Sequence, residues 1–196
     1  MLLIKISGDN VYFQLGLKCM IENIIGSEWY NFPRVIFTSD LFSNNFPNII
    51  FQDYVVSIRL KFNLIESIKP QHFCAVHVPF FIHSVNENDV LNKLRKILLI
   101  SCMTYDDFVS DGIYKITGIH RHVQLSVSET TILNLAGKGN NIEDISNILN
   151  RSERTIGTHC RNAINKMGLK NKVRFFQYAY YVSNFDLEDA ITVCLN

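Results

Sequence analysis

Residues 125–168 read LSVSETTILNLAGKGNNIEDISNILNRSERTIGTHCRNAINKMG. Ser126 and Glu129 form the S-x-x-E pattern of a capping box, so a helix opens here. Ile132, Leu133 and Leu135 supply its apolar contacts, and Gly139 is placed to end it in a left-handed conformation. A second helix is predicted over about Ile142–Leu149, burying Ile142, Ile145, Ile148 and Leu149. Asn150 and Arg151 form the turn, and Ser152 is a natural N-cap for a third helix. In that helix Ile156, Cys160, Ala163, Ile164 and Met167 make one apolar stripe, while Gly157, Thr158, Arg161 and Asn165 occupy the opposite face. Gly168 ends it. A fourth helix begins near Asn171, with Val173, Phe176 and Tyr180 as its expected buried face.

Three short helices cut by turns at this spacing are those of a helix-turn-helix. A third helix of this kind can lie in the major groove of DNA. Arg161 could pair bidentately with guanine, and the Thr158 methyl or hydroxyl could meet a base or a phosphate. On periodicity alone, a plain helical bundle with a solvated arginine serves as well. Charge adds a weak pointer. Residues 125–182 carry 8 Lys/Arg and 4 Asp/Glu, whereas residues 1–124 carry 11 of each. A polyanion would need the excess on the helical segment, where it lies.

Composition excludes several classes. With 47% apolar and 19% charged residues, this is a folded chain rather than a disordered one. No 18-residue apolar run exists, so no membrane-spanning helix is expected. The opening MLLIKISGD is too short for a signal h-region and fits a buried first strand. Cys19, Cys74, Cys102, Cys160 and Cys194 are odd in number and form no CxxC pair, which suits reduced core thiols in the cytoplasm. His120 and His122 have no cysteine nearby. No nucleophile–base pair, metal constellation or cofactor motif stands out, so an enzyme, a bound metal and a cofactor are not expected.

The first hundred residues alternate strand-like and helix-like pieces. Leu2–Ile6, Arg34–Thr38, Asn48–Gln52 and His72–Ile82 read as strands. Val11–Ile25, Ser57–Lys69 and Asn86–Ile100 read as helices, with Pro70 ending the second. The alternation predicts an α/β domain with a parallel sheet over residues 1–100. Residues 101–124 read as a linker with a short strand at Ile113–Thr117, residues 125–182 as an all-α four-helix domain, and residues 183–196 as an acidic tail.

Residues 125–182 resemble the DNA-binding domain of LuxR/FixJ-type bacterial transcription regulators. That pattern runs L-T-x-x-E-x-x-[VI]-L, G, N-x-x-I-A-x-x-L, S-x-x-T-V-K-x-H and N-[IL]-x-x-K-L-G. Matching positions include Leu125, Ser126, Glu129, Ile132, Leu133, Gly139, Ile145, Leu149, Ser152, Thr155, Ile156, His159, Asn162, Ile164, Lys166, Met167 and Gly168. The resemblance implies double-stranded DNA as partner and base contacts by Gly157, Thr158 and Arg161. It implies phosphate contacts by Ser152, Arg154, Thr155, Lys166 and Lys172. The family usually has Lys where this chain has Gly157, so its sequence preference or affinity should differ.

The start IKISGDNVYFQLGLKCMIENI resembles the first strand and helix of a response-regulator receiver, a flavodoxin-like domain, with Gly16 and Leu17 matching its G-L. Asp9 matches the second acid of that motif, but Gly8 replaces the first. NIIFQD places Asp53 at the phosphoacceptor position, with Asp40 a weaker alternative, and His83 stands where the family has Lys. Phosphorylation needs clustered carboxylates for Mg²⁺ and that Lys. The resemblance therefore implies a degenerate receiver-like domain regulated without phosphoryl transfer. The expected protein is a cytoplasmic, nucleoid-associated regulator, a homodimer or a heterodimer with another LuxR-type regulator. Its dimer face would be Asn86–Ile100, and RNA polymerase would be a further partner. Rival readings are an orthodox response regulator phosphorylated at Asp53, a ligand-sensing regulator, and an interaction module that has lost DNA binding.

Overall fold

The computed structural model of the chain describes residues 1–28, 32–38, 46–52, 54–61, 73–81, 86–184 and 190–195. Six strands form one sheet in the order β2-β1-β3-β4-β5-β6. They are β1 (Leu2–Ile6), β2 (Val35–Phe37), β3 (Ile49–Phe51), β4 (Val55–Lys61), β5 (Phe73–Pro79) and β6 (Ala190–Thr192). Helix α1 (Val11–Glu28) connects β1 to β2, and α2 (Glu87–Ser101) follows β5. The core joins Leu17, Ile21 and Ile24 of α1 to Leu94, Ile97 and Leu98 of α2, over Ile4, Ile49, Phe51, Ile58 and Val76.

The α/β class holds, but the sheet is mixed. β1 pairs in parallel with β2 and β3, whereas β4 runs antiparallel to both β3 and β5. Only three residues separate Phe51 from Val55. A parallel crossover needs a dozen or more, so the chain must reverse. The helix expected over Ser57–Lys69 is therefore replaced, as far as Lys61, by a strand. Val55, Val56, Ile58 and Leu60 are all fully buried, because both sheet faces are covered. Val56, Ile58 and Leu60 alternate with Ser57, Arg59 and Lys61, the two-residue period of a strand, but Leu60 also falls on a helical period with Leu64, Ile65 and Ile68 in the sequence. Leu64, Ile65, Ile68, Pro70, His72, Ile82 and His83, like Asp40 and Asp53, lie outside the described residues.

Residues 101–124 are mostly helical rather than an extended connection. Thr104 caps α3 (Tyr105–Asp107) in a reciprocal box with Asp107, a π-helical turn covers Phe108–Gly112, and α4 (Ile113–Thr117) follows. The short strand expected at Ile113–Thr117 is thus a helical turn. Met103, Phe108, Ile113 and Ile119 are buried in the sheet's core.

The second layer of helices is α5 (Val127–Gly137), α6 (Ile142–Leu149), α7 (Glu153–Met167) and α8 (Lys172–Ser183). Ile132, Leu133, Ile145, Ile156, Cys160, Met167, Phe175 and Tyr178 fill their core. Three expected burials fail. Ile148 is 55% exposed, and Val173 and Tyr180 are more than 60% exposed, while Phe175, Tyr178 and Ala179 are buried instead. Helix α8 is apolar nearly all round, so its period selects no face. Docking on α5 does, and it is close. A Cβ at Gly137 would lie 2.6 Å from the Ala179 carbonyl oxygen.

The two layers share the last residues of the chain. Instead of a solvated acidic tail, β6 adds to the sheet beside β5, with Ile191 opposite Val76 and Thr192 opposite His77. Beyond it Val193 and Leu195 enter the sheet's core, while Cys194 enters the helical core together with Val55. Gln124 brackets this segment: its side-chain amide donates to the Cys194 carbonyl and accepts from the Cys194 N–H, each at 2.9 Å. Cys74 and Cys160 are likewise buried, whereas Cys19 and Cys102 are exposed.

Candidate nucleic-acid interface

Each helix of the C-terminal layer starts on a side-chain cap. Ser126 and Glu129 form the reciprocal box expected from sequence, and Asn141 with Asp144 forms a second. Ser152 Oγ accepts from the Thr155 N–H at 3.2 Å and lies 2.9 Å from the Thr155 hydroxyl. Asn171 caps α8 through the Arg174 N–H at 3.0 Å. Asn150, at φ 49°, closes α6 and turns the chain into α7, and Gly168, at φ 67°, ends α7. These local bonds satisfy the orphan amides of each helix and set where α7 begins and ends.

The apolar stripe of α7 is buried as expected, at Ile156, Cys160, Ala163, Ile164 and Met167. Its other face is open: Arg154, Thr158, Arg161 and Asn165 are exposed, and Gly157 is half-buried. The three residues assigned to base contact lie together. Arg161 Nε donates to the Gly157 carbonyl at 3.3 Å, and a terminal guanidinium nitrogen lies 3.5 Å from the Thr158 hydroxyl, which itself donates to the Arg154 carbonyl at 3.0 Å. The guanidinium therefore lies back along its own helix.

The five residues assigned to phosphate contact divide. Ser152, Arg154 and Lys172 are exposed and Thr155 is half-buried, all near the starts of α7 and α8. Lys166 is engaged inside the protein. Its ammonium donates to Glu129 Oε2 at 2.8 Å and to the Gln124 carbonyl at 2.9 Å. Burial pushes the Glu129 carboxyl up, but Lys166 and the Ser126 donors outweigh it and hold the group below the usual carboxylate range. The Lys166 partner was not visible from spacing, because Glu129 lies 37 residues away on another helix.

Sequence reasoning also left out Lys170 as a site residue. It lines, with Lys172 and Arg161, a surface cleft of about 470 Å³ between α6, α7 and the start of α8. Apolar Ile142, Cys160 and Ile164 line the same cleft, and Asp and Glu do not. The first turn of α8 has no acid, unlike those of α5, α6 and α7. The positive end of its helix dipole is thus left uncompensated beside Lys172. Arg174, in the same turn, faces inward, 4.8 Å above the Tyr54 ring from the β3–β4 connection.

Among the described residues no helix is long and apolar enough to cross a membrane. Curated proteins include no match to this chain. Among solved structures, the RcsB response regulator of Salmonella typhimurium, studied for its conformational dynamism in DNA interaction, aligns with 92% of this chain and 100% of its own. The identity is 15% and the TM-score 0.32. Residues 123–179 match the family of bacterial regulatory proteins described as the LuxR family (GerE). That range runs from the turn before α5 into α8 and includes the whole exposed face of α7. The C-terminal helices of this chain are therefore similar, over residues 123–179, to the LuxR family, and they join an α/β domain with a mixed sheet.

Proposed function

We propose that this chain is a sequence-specific DNA-binding transcription regulator that works without phosphoryl transfer and is not an enzyme. One observation carries the reading: α7 presents Arg154, Gly157, Thr158 and Arg161 on one open face inside a LuxR-family domain. In this reading α7 lies in the major groove, with Thr158 and Arg161 at base edges and Gly157 against them. Ser152, Arg154, Thr155 and Lys172 hold phosphates, giving register and a salt-dependent affinity. Lys166 is withdrawn from that set, because its ammonium braces α7 against Glu129 and Gln124.

Regulation without phosphoryl transfer is supported at the end of β1. Gly8, where a receiver has an acid, sits at φ 138°, a conformation L side chains rarely adopt. One such helix reads few base pairs, so the regulator acts as a homodimer or as a heterodimer with another LuxR-type regulator. The apolar residues of α2 are turned into the sheet's core, which weakens the case for Asn86–Ile100 as the dimer face. Exposed Val173 and Tyr180 on α8, which line a cleft of about 490 Å³ with half-buried Phe176, suit that role better. RNA polymerase is a further partner in this reading, and the nucleoid in the cytoplasm is the place of action.

The test is selection of genomic DNA fragments by the purified protein, run beside a selection from source-cell extract. A shared motif is expected. Arg161→Ala should weaken binding to it by about 1–3 kcal/mol and relax its sequence, and Lys172→Ala should weaken all sequences alike. A motif from extract alone would mean that a partner supplies half the recognition. No motif in either overturns DNA binding and favours an interaction module.

A further inference from the structure

Gly157 leaves open space on the exposed side of α7. An ideal Cβ at Gly157 would meet nothing within 4 Å. The glycine is therefore not required by close packing, and its helical φ does not require it either. Yet it sits inside a 15-residue helix, where glycine is about 1 kcal/mol worse than alanine. The space it leaves belongs to the cleft lined by Ile142, Cys160 and Ile164, with Arg161, Lys170 and Lys172 at its rim. An apolar floor under a cationic rim, open on the face of a groove-reading helix, matches one feature of duplex DNA. The C5-methyl of thymine is the apolar group in the major groove, and it lies between two phosphate backbones.

We infer that the Gly157 cleft is a thymine-methyl subsite and that Gly157 is a specificity-determining residue. This rests on the reading that α7 enters the major groove. The backbone at Gly157 approaches the base edge closely, the methyl enters against Ile142 and Ile164, and Lys170 and Lys172 hold the adjacent phosphates. A lysine at this position, usual in the family, would fill the gap and replace an apolar contact by a hydrogen-bond donor.

The test uses the full chain and the best duplex from DNA selection. Each thymine is replaced in turn by deoxyuridine, which removes only the methyl, and Kd is measured at constant salt. At least one thymine should matter, with about fourfold weaker binding of its uracil form, the value of one buried methyl group. In Gly157→Val, thymine and uracil at that position should bind alike. Gly157→Ala, which adds one carbon in open space, guards against a folding defect and should lose part of the discrimination. If no single uracil changes Kd by more than about twofold, the subsite is wrong although DNA binding stands. The same holds if the methyl effect survives in Gly157→Val but vanishes in Thr158→Ser, since Thr158 would then be the reader. A selection that enriches no sequence overturns DNA binding itself, and the subsite with it.

Discussion

The C-terminal helices and the sheet domain solve the same problem by opposite means. Each helix from α5 to α8 begins on a cap three residues from its partner, so its limits are set within one turn. The sheet is assembled from pairs far apart: β5 and β6 meet across more than a hundred residues, and β1 and β3 across more than forty. Local bonds can be read and tested one at a time. Non-local pairs act together, and the segment Ala190–Leu195, which enters both cores, ties the two designs into one body.

Ending the chain before Ala190 should therefore produce the largest effect. It removes Ile191, Val193, Cys194 and Leu195, the last three almost fully buried. At about 1.5–3 kcal/mol per buried side chain, the loss should be about 5 kcal/mol or more. Urea unfolding followed in both layers would check it. If the helices kept their full midpoint while the sheet lost its own, the segment would not join the two layers.

Lys166→Ala should come next. It leaves the buried Glu129 carboxylate without its ammonium partner, at a loss of about 3 kcal/mol. Because the Glu129 carboxyl is held below its ordinary pKa, the pair stabilises the protein above the unfolded value of 4.5 and is lost as pH falls through the folded value. Thermal melts of Lys166→Ala and Lys166→Met should thus differ from the native chain near neutrality and converge toward it in acid. A constant difference at all pH values would reassign the effect to packing.

His77 gives the sheet its own pH response. It is fully buried on β5, with Nδ1 2.9 Å from the Ser57 hydroxyl on β4, and burial lowers its pKa from 6.5 to about 4. Between those values the unfolded chain binds a proton that the folded chain does not. Stability should be full above pH 6.5 and fall by up to about 3 kcal/mol as pH drops to 4. Denaturation at stepped pH would show the slope, and His77→Gln should flatten it. A slope unchanged in His77→Gln would place the titrating group elsewhere.

The smallest effect expected is a gain. Gly157→Ala adds a methyl group in open space within α7 and should stabilise the protein by about 0.5–1 kcal/mol. A loss of stability would mean that the helix needs its glycine for conformation, which would bring α7 closer in character to the sheet.

The exposed face of α7 was legible because its partners are its own neighbours. Ser152 caps three residues on, and the stripe Ile156–Met167 leaves Thr158 and Arg161 outward at a 3.6-residue period. The Lys166–Glu129 bond was not legible for the converse reason. The position of Lys166 on the helix surface is that of a solvated lysine, and only the approach of α5 turns it inward to Glu129. Helix α8 failed in the same way. Apolar residues on all sides left the choice of face to its docking partner, which buried Phe175 and Tyr178 and exposed Val173 and Tyr180.

By itself, the sequence determined the four capped C-terminal helices, the open cationic face of α7 and the α/β character of the first hundred residues. All three depend on hydrogen bonds within a turn or on the side-chain period of a single element. Only the tertiary structure decided the reversal of β4, the return of the chain end as β6 and the capture of Lys166 by Glu129. Those outcomes depend on which distant surfaces bury one another, and the side-chain period of a single element does not encode that choice.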